Sequence, residues 1–141
     1  MIIYLDTSSL VKLYVEERDS RKVVDLVRSS KVTATSIVAY AEARAAFARR
    51  FREKAFTARE YRRLISSFNK DWDYYLVVGV TKELVWLSGD LAEKHSLRGF
   101  DAIHLSSAIF LREELSSPIT FSCSDQKLQK ASQLENLHQL P

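Results

Sequence analysis

Cysteine is almost absent from this chain of 141 residues: Cys123 is the only one. No internal disulfide can form, which removes the staple of small secreted scaffolds and points to a reducing, cytoplasmic setting. A lone free cysteine usually behaves as a small hydrophobe, and Cys123, closing an apolar run, reads as a strand residue. Glycine and proline are nearly as scarce, with three Gly and two Pro. That excludes a flexible linker or low-complexity tract. The glycine-rich phosphate loops are missing too, since neither G-x-G-x-x-G nor G-x-x-x-x-G-K-[ST] occurs. A G-x-S-x-G elbow and paired Cys or His zinc spacings are likewise missing. No apolar run approaches the ~18 residues of a membrane span. The opening Met1-Ile2-Ile3-Tyr4-Leu5-Asp6 has no basic segment of the kind that starts a signal peptide.

What the chain does have is a core. Hydrophobic residues make up 46% and charged residues 28%, an ordinary globular composition. A domain of this length buries roughly 68–70% of its unfolded surface, so residues 1–141 are expected to form one domain. The net charge of +3 is unevenly spread. Between Arg44 and Arg63, eight cations (including Arg49, Arg50 and Arg52) face two acids, Glu53 and Glu60. That stretch therefore carries +6 and the remainder −3. A basic block of this kind fits a polyanionic partner, or a solvated helical face that keeps the protein soluble.

Periodicity divides the chain into alternating elements. Residues 1–5 are a continuous apolar run, the pattern of a strand buried on both faces. Asp6, Thr7, Ser8 and Ser9 then open a helix, with Leu10, Leu13 and Tyr14 at helical spacing. A second helix is expected from about Asp19 to Ser29, and a short strand over 32–35. Ser36 reads as the cap of a long helix to about Lys54, and Thr57 as the cap of the next, to about Trp72. Residues 75–78 form a strand, and Thr81 opens a helix to about Ser96. Gly99 marks a break, and Asp101 opens a further helix. Residues 119–123 form a strand, Ser124-Asp125 start a last helix, and 136–140 form a short final strand. Short buried strands between helices signify a parallel sheet covered on both faces. The expected fold is an α/β/α sandwich of four to five parallel strands, with a helical hairpin (36–72) inserted. Trp72, Tyr74 and Tyr75 read as core or interface residues rather than base-stacking platforms.

In such a sheet, ligands bind beyond the carboxyl ends of the strands, and acids stand there. Asp6 follows the first strand, Glu42 lies one to two turns beyond the second, Asp125 follows the last long strand, and Asp101 begins the helix feeding it. Each aspartate taken alone also reads as a helix-start residue, worth about 0.5–2 kcal/mol. Glu42 lies among alanines on a helix that should pack on the sheet, and it needs a partner, with Arg44 or Lys12 as candidates. Together the four acids point further. Two carboxylates about 4 Å apart repel by about 4 kcal/mol at an effective dielectric of about 20, so four converging acids call for a cation. Oxygen ligands favour Mg²⁺ or Mn²⁺. Thr7, Ser8 and Ser124 flank two of the acids and could hold water or a phosphate oxygen, or simply cap. His104, three residues after Asp101, reads as structural.

These blocks resemble those of PIN-domain nucleases, and within them the VapC-like toxin ribonucleases. YLDTSSLVKLYVEE is similar to the family's opening strand, acid, hydroxyl residue and helix. TSIVAYAEARAAF is similar to its second block, LRGFDAIHLSSAIFL is the closest match, and ITFSCSDQKLQKAS is similar to its closing block, departing from it before Asp125 and after Ala131. The resemblance implies a divalent-metal-dependent endoribonuclease, the toxin of a toxin–antitoxin pair. By position, Asp6 and Asp101 would ligate Mg²⁺ or Mn²⁺ directly, and Glu42 and Asp125 would complete the catalytic site directly or through water. Water activated there would attack the scissile phosphate. Arg44, Arg49, Arg50 and Arg52 would hold the RNA backbone. A homodimer, inhibited by a cognate antitoxin protein, is also implied. Two other readings stay open: a housekeeping RNA-processing nuclease of the same family, and a non-catalytic scaffold of the same fold that binds RNA or protein.

Overall fold

The computed structural model describes residues 1–139. Among them lie four strands and seven helices in the order β1 (Ile2–Leu5), α1 (Thr7–Val11), α2 (Ser20–Arg28), β2 (Val32–Ser36), α3 (Val38–Arg52), α4 (Ala58–Trp72), β3 (Leu76–Val78), α5 (Lys82–His95), α6 (Gly99–Leu115), β4 (Ile119–Ser122) and α7 (Gln126–Leu134). The sheet has four strands in the order β3-β2-β1-β4. All three pairings are parallel, with Ile2 opposite both Val32 and Ile119.

The two-residue period of β1 explains the layers. Ile3 and Leu5 point into one core with Leu10, Val23, Ala39, Ala43, Phe47 and Phe68, and so bury α1 to α4 on that face. Tyr4 points into the opposite core with Ala34, Leu105, Ala108, Phe121 and Leu128, which buries α5 to α7. Because β1 is central and covered on both faces, every position from Ile3 to Leu5 is fully buried. That is why its sequence reads as an unbroken apolar run. Alanines 39 and 43, with no exposed surface, let α3 approach α1 closely, and this brings Glu42 toward the end of β1.

Several boundaries differ from the sequence expectation. Ser36 ends β2, and Ile37 takes the cap position of α3 without a side-chain bond. Ser36 still contributes, accepting the Val38 N–H at 3.3 Å. Helix α6 begins at Gly99, two residues before Asp101, which lies in its first turn. Glycine there breaks nothing, because the first turn needs no special backbone angle. Beyond Val11 the chain tightens, with Leu13 and Tyr14 donating to carbonyls three residues back, so α1 is one short turn. The final strand expected over 136–140 is reduced to an isolated bridge between Thr120 and His138, and Leu140 lies outside the described residues. Thr57 and Thr81 do cap their helices, Thr57 with a full capping box to Glu60. Trp72 and Tyr75 pack against the first core, whereas Tyr74 is exposed. Among the described residues no helix is long and apolar enough to cross a membrane.

Candidate active site

The chain leaves β1 through Asp6, whose N–H donates to the Ser122 carbonyl at 3.1 Å. This bond pins the exits of β1 and β4 side by side. Asp6 then caps α1: its Oδ1 accepts the Ser9 N–H at 2.9 Å and the Ser8 hydroxyl at 2.7 Å. Ser8 Oγ accepts in turn the Ser124 N–H at 3.2 Å, joining the two strand exits a second time. Asp125 caps α7 through Oδ2, which accepts the Leu128 N–H at 2.9 Å. Asp101 Oδ2 takes the Arg98 guanidinium Nε at 3.2 Å. Glu42 Oε1 accepts from the Thr7 hydroxyl at 2.5 Å and from His104 Nε2 at 2.9 Å.

All four sequence-predicted carboxylates, with Thr7, Ser8, Ser124, Arg98 and His104, line one cleft of about 390 Å³. Each carboxylate spends one oxygen on a protein donor. The other oxygen of each takes no hydrogen bond among the described residues. Four carboxylates, hard oxygen donors of the kind Mg²⁺ or Mn²⁺ prefers, therefore line the cleft, each with one oxygen not hydrogen-bonded among the described residues. Among the described residues no three His, Cys, Asp or Glu side chains crowd closely enough to grip one bare ion.

Electrostatics mark the same place. Burial raises the Asp6 carboxyl above its usual value, although the His104 imidazole and the bonds from Ser8 and Ser9 pull it back in part. Asp101 adds a further upward push. Glu42 shows the opposite balance. Burial pushes it up, but hydrogen bonds from His104 and Thr7 outweigh that and leave it below the usual range. The Cys123 thiol, close by, is raised first by burial and then by the negative charge of Asp6, Asp125 and Asp101 together.

Glu42 does not pair with Arg44 or Lys12. Residues two apart on a helix stand about 200° apart around its axis, so Arg44 cannot reach the Glu42 face. Arg44 instead folds back one turn, donating to the Tyr40 hydroxyl at 2.8 Å and lying over its ring. Its Nε is buried without a partner. The same geometry sorts the basic block. Arg49, seven residues beyond Glu42, shares its face and, with Arg50, lines a wider groove of about 740 Å³. That groove shares Thr7, Ser8, Glu42 and Arg98 with the acid cleft and adds Lys12. Arg44 and Arg52 line neither. Two counter-charges temper the groove: Glu17 lies 3.4 Å from Arg50 and Glu53 lies 3.8 Å from Arg49.

Arg98 was not anticipated from the sequence, and the structural role read there for His104 rests on a contact that no local pattern could place. Arg98 holds Asp101, and its spacing of three residues ahead of an acid at a helix start was the available signal. His104 is only 2% exposed and bridges Glu42 to the Tyr4 hydroxyl, 2.8 Å from Nδ1. Tyr4 and His104 are 100 residues apart in the chain, and no local pattern links them.

A three-layer α/β domain with a central parallel sheet, and a carboxylate-lined cleft over the exits of β1 and β4, defines the class. The chain belongs to the PIN domain family, which it matches over residues 3–120. It is similar to Ribonuclease VapC45 of Mycobacterium tuberculosis strain CDC 1551 / Oshkosh, and to Ribonuclease VapC49 of strain H37Rv. Each is 33% identical over 112 residues, covering 77% of this chain and 75% of the relative. Three solved structures share the fold at 14% identity. VapBC2 from Rickettsia felis bound to a promoter DNA fragment has a TM-score of 0.64 and covers 99% of this chain and 98% of its own. FitAcB from Neisseria gonorrhoeae has a TM-score of 0.66, with 99% and 96% covered. A toxin–antitoxin complex from Klebsiella pneumoniae has a TM-score of 0.55, with 84% and 83% covered.

Proposed function

We propose that this chain is an endoribonuclease, the toxin of a toxin–antitoxin pair, that hydrolyses RNA phosphodiester bonds with Mg²⁺ or Mn²⁺ in the acid cleft. The observation that carries the reading is the cleft itself: Asp6, Glu42, Asp101 and Asp125 converge from four separate segments, each with one oxygen free. The relatives named as VapC ribonucleases and the structural neighbours crystallised as VapBC2 and as a toxin–antitoxin complex support the substrate and the partner.

Asp6 and Asp101 would hold the ion directly, with Glu42 and Asp125 completing the site directly or through water. The chemistry such an ion would supply is a lowered pKa for a bound water and neutralised charge on the scissile phosphate. The chain's own residues do the rest. Thr7 and His104 fix the Glu42 carboxylate, Ser8 fixes Asp6, and Ser124 presents its hydroxyl at the cleft. Lys12, Arg49, Arg50 and Arg98 would hold the strand by its phosphates along the adjoining groove. Arg52 is exposed and free to join them, whereas Arg44 acts as packing on Tyr40. Helices α5 and α6 leave Val85, Trp86, Phe100 and Phe110 exposed, apolar surface that a second copy would cover in a homodimer. The setting is cytoplasmic, since the lone cysteine forms no disulfide.

Cleavage of an RNA pool, followed by gel, tests the reading. Asp101→Asn is expected to lower the rate by at least about 10³-fold with an unchanged melting temperature, and EDTA should stop the wild type. Full activity in either condition refutes the metal-assisted mechanism. An inert wild type that still binds RNA would instead favour the scaffold reading.

A further inference from the structure

A second polar pocket, of about 400 Å³, opens between α2 and the start of α7. It shares Ser124 with the acid cleft and Lys12 with the arginine groove, so the three depressions run together across the strand exits. Its volume falls within the ~300–1,000 Å³ of pockets that enclose small ligands. Three cations, Lys12, Arg18 and Lys22, stand against the single acid Asp19. The floor is apolar, built from Val23, Leu26 and Phe121, all buried. Across from the cations, Gln126 and Gln129 project from α7 into the same space.

We propose that this pocket is a nucleotide subsite, holding the residue of the RNA strand that flanks the scissile phosphate on the side away from Arg49 and Arg50. The chemistry fits in two parts. The cations suit the flanking phosphate, a sequence-independent contact. Gln126 and Gln129 each offer two donors and an acceptor, the groups that read a base edge. Phe121 is 1% exposed and presents no face for stacking, so the base is held by hydrogen bonds. The pocket therefore confers a base preference rather than tolerance of any base. This inference rests on the ribonuclease reading for its substrate, but binding at the pocket does not depend on cleavage.

The test uses the full chain in EDTA, with no hydrolysis, and titrates it with the 5′-monophosphates of A, C, G and U while following side-chain amide signals by NMR. Saturable shifts at Gln126 and Gln129, stronger for one base and lost in an Arg18→Gln, Lys22→Gln double variant of unchanged melting temperature, are expected. In the same buffer, that variant should bind a single-stranded RNA with a log–log salt slope shallower by up to about 1.4, for two lost phosphate contacts. With Mg²⁺ restored, Gln126→Leu combined with Gln129→Leu should flatten the base preference at one position beside the cut. Amides untouched by every nucleotide overturn the proposal, as does protection of Lys22 by a protein partner with no nucleotide shift. Nucleotide shifts in a chain that cleaves nothing leave the subsite standing and overturn the nuclease reading alone.

Discussion

Tyr4 and His104 stabilise the fold as a coupled pair, and a double-mutant cycle on them measures the coupling. Tyr4 has no exposed surface and His104 has 2%; the rings meet edge to face at 5.9 Å, and the hydroxyl lies 2.8 Å from Nδ1. Since Nε2–H is directed at Glu42, Nδ1 accepts the tyrosine proton. Tyr4→Phe leaves Nδ1 buried and unpartnered, a loss of about 1–3 kcal/mol. His104→Ala orphans the tyrosine hydroxyl by the same amount and adds a cavity, for about 4 kcal/mol in all. In the double variant neither orphaned group remains and only the cavity is left, so the combined loss should fall below that of His104→Ala alone. The expected coupling is about 2–6 kcal/mol. Urea denaturation with a common m-value reads it, and the His104→Ala melting temperature should fall by about 15 °C. Additivity within about 0.5 kcal/mol would mean the two residues act independently and would refute the bridge.

Glu135 should show its worth through pH. Burial pushes its carboxyl up, but the Lys94 ammonium at 2.7 Å and the His95 ring at 3.2 Å hold it below the usual range. A lowered folded value means the stabilisation is complete above the unfolded value of about 4.3 and is lost as pH falls through the folded one. Glu135→Gln is thus expected to lower stability by about 1 kcal/mol at pH 7, with the gap to wild type closing in acid; a constant gap in calorimetry speaks against the ion pairs. Thr57→Ala breaks both bonds of the capping box with Glu60 and should destabilise by about 1 kcal/mol; an unchanged denaturation midpoint counts against that cap. Asp6→Asn keeps an oxygen for the Ser9 N–H while removing a buried charge, and should raise stability in EDTA by about 1 kcal/mol. Saturating Mg²⁺ should then stabilise wild type by about 2.7 kcal/mol at 100 times Kd and leave the variant unmoved. Equal Mg²⁺ stabilisation of both proteins would exclude Asp6 as a ligand.

Local rules carried the fold. The unbroken run Ile2–Leu5, the Thr57 cap and the acids at strand exits were legible because each depends on neighbours within four residues. Contacts between distant segments were not legible. Glu42 needed a partner, and its sequence neighbours Arg44 and Lys12 looked sufficient. The bond goes instead to Thr7 and His104, because α3 turns Arg44 away and the sheet brings α1 and α6 to the same edge. The basic block illustrates the same point. As a count of charge it suggested four equivalent arginines, whereas a helix of 3.6 residues per turn gives Arg49 the face of Glu42 and sends Arg44 to Tyr40. Among the described residues the expected final strand is a single bridge between Thr120 and His138.

At the sequence level, helix capping and ion binding appear as competing explanations of Asp6 and Asp125. In the fold the two roles are compatible. A carboxylate has two oxygens, and one suffices to receive the N–H at the head of a helix, as Ser9 and Leu128 show. The capping bond restrains the side chain at the strand exit and leaves the second oxygen without a hydrogen bond among the described residues. The helix start thus supplies positioning without consuming the donor a cation needs. Arg98 plays that part for Asp101, and Thr7 with His104 for Glu42. A parallel sheet makes the device repeatable, because each strand exit delivers another helix start to the same edge. Four acids are then anchored separately, each by its own donors, around one cleft.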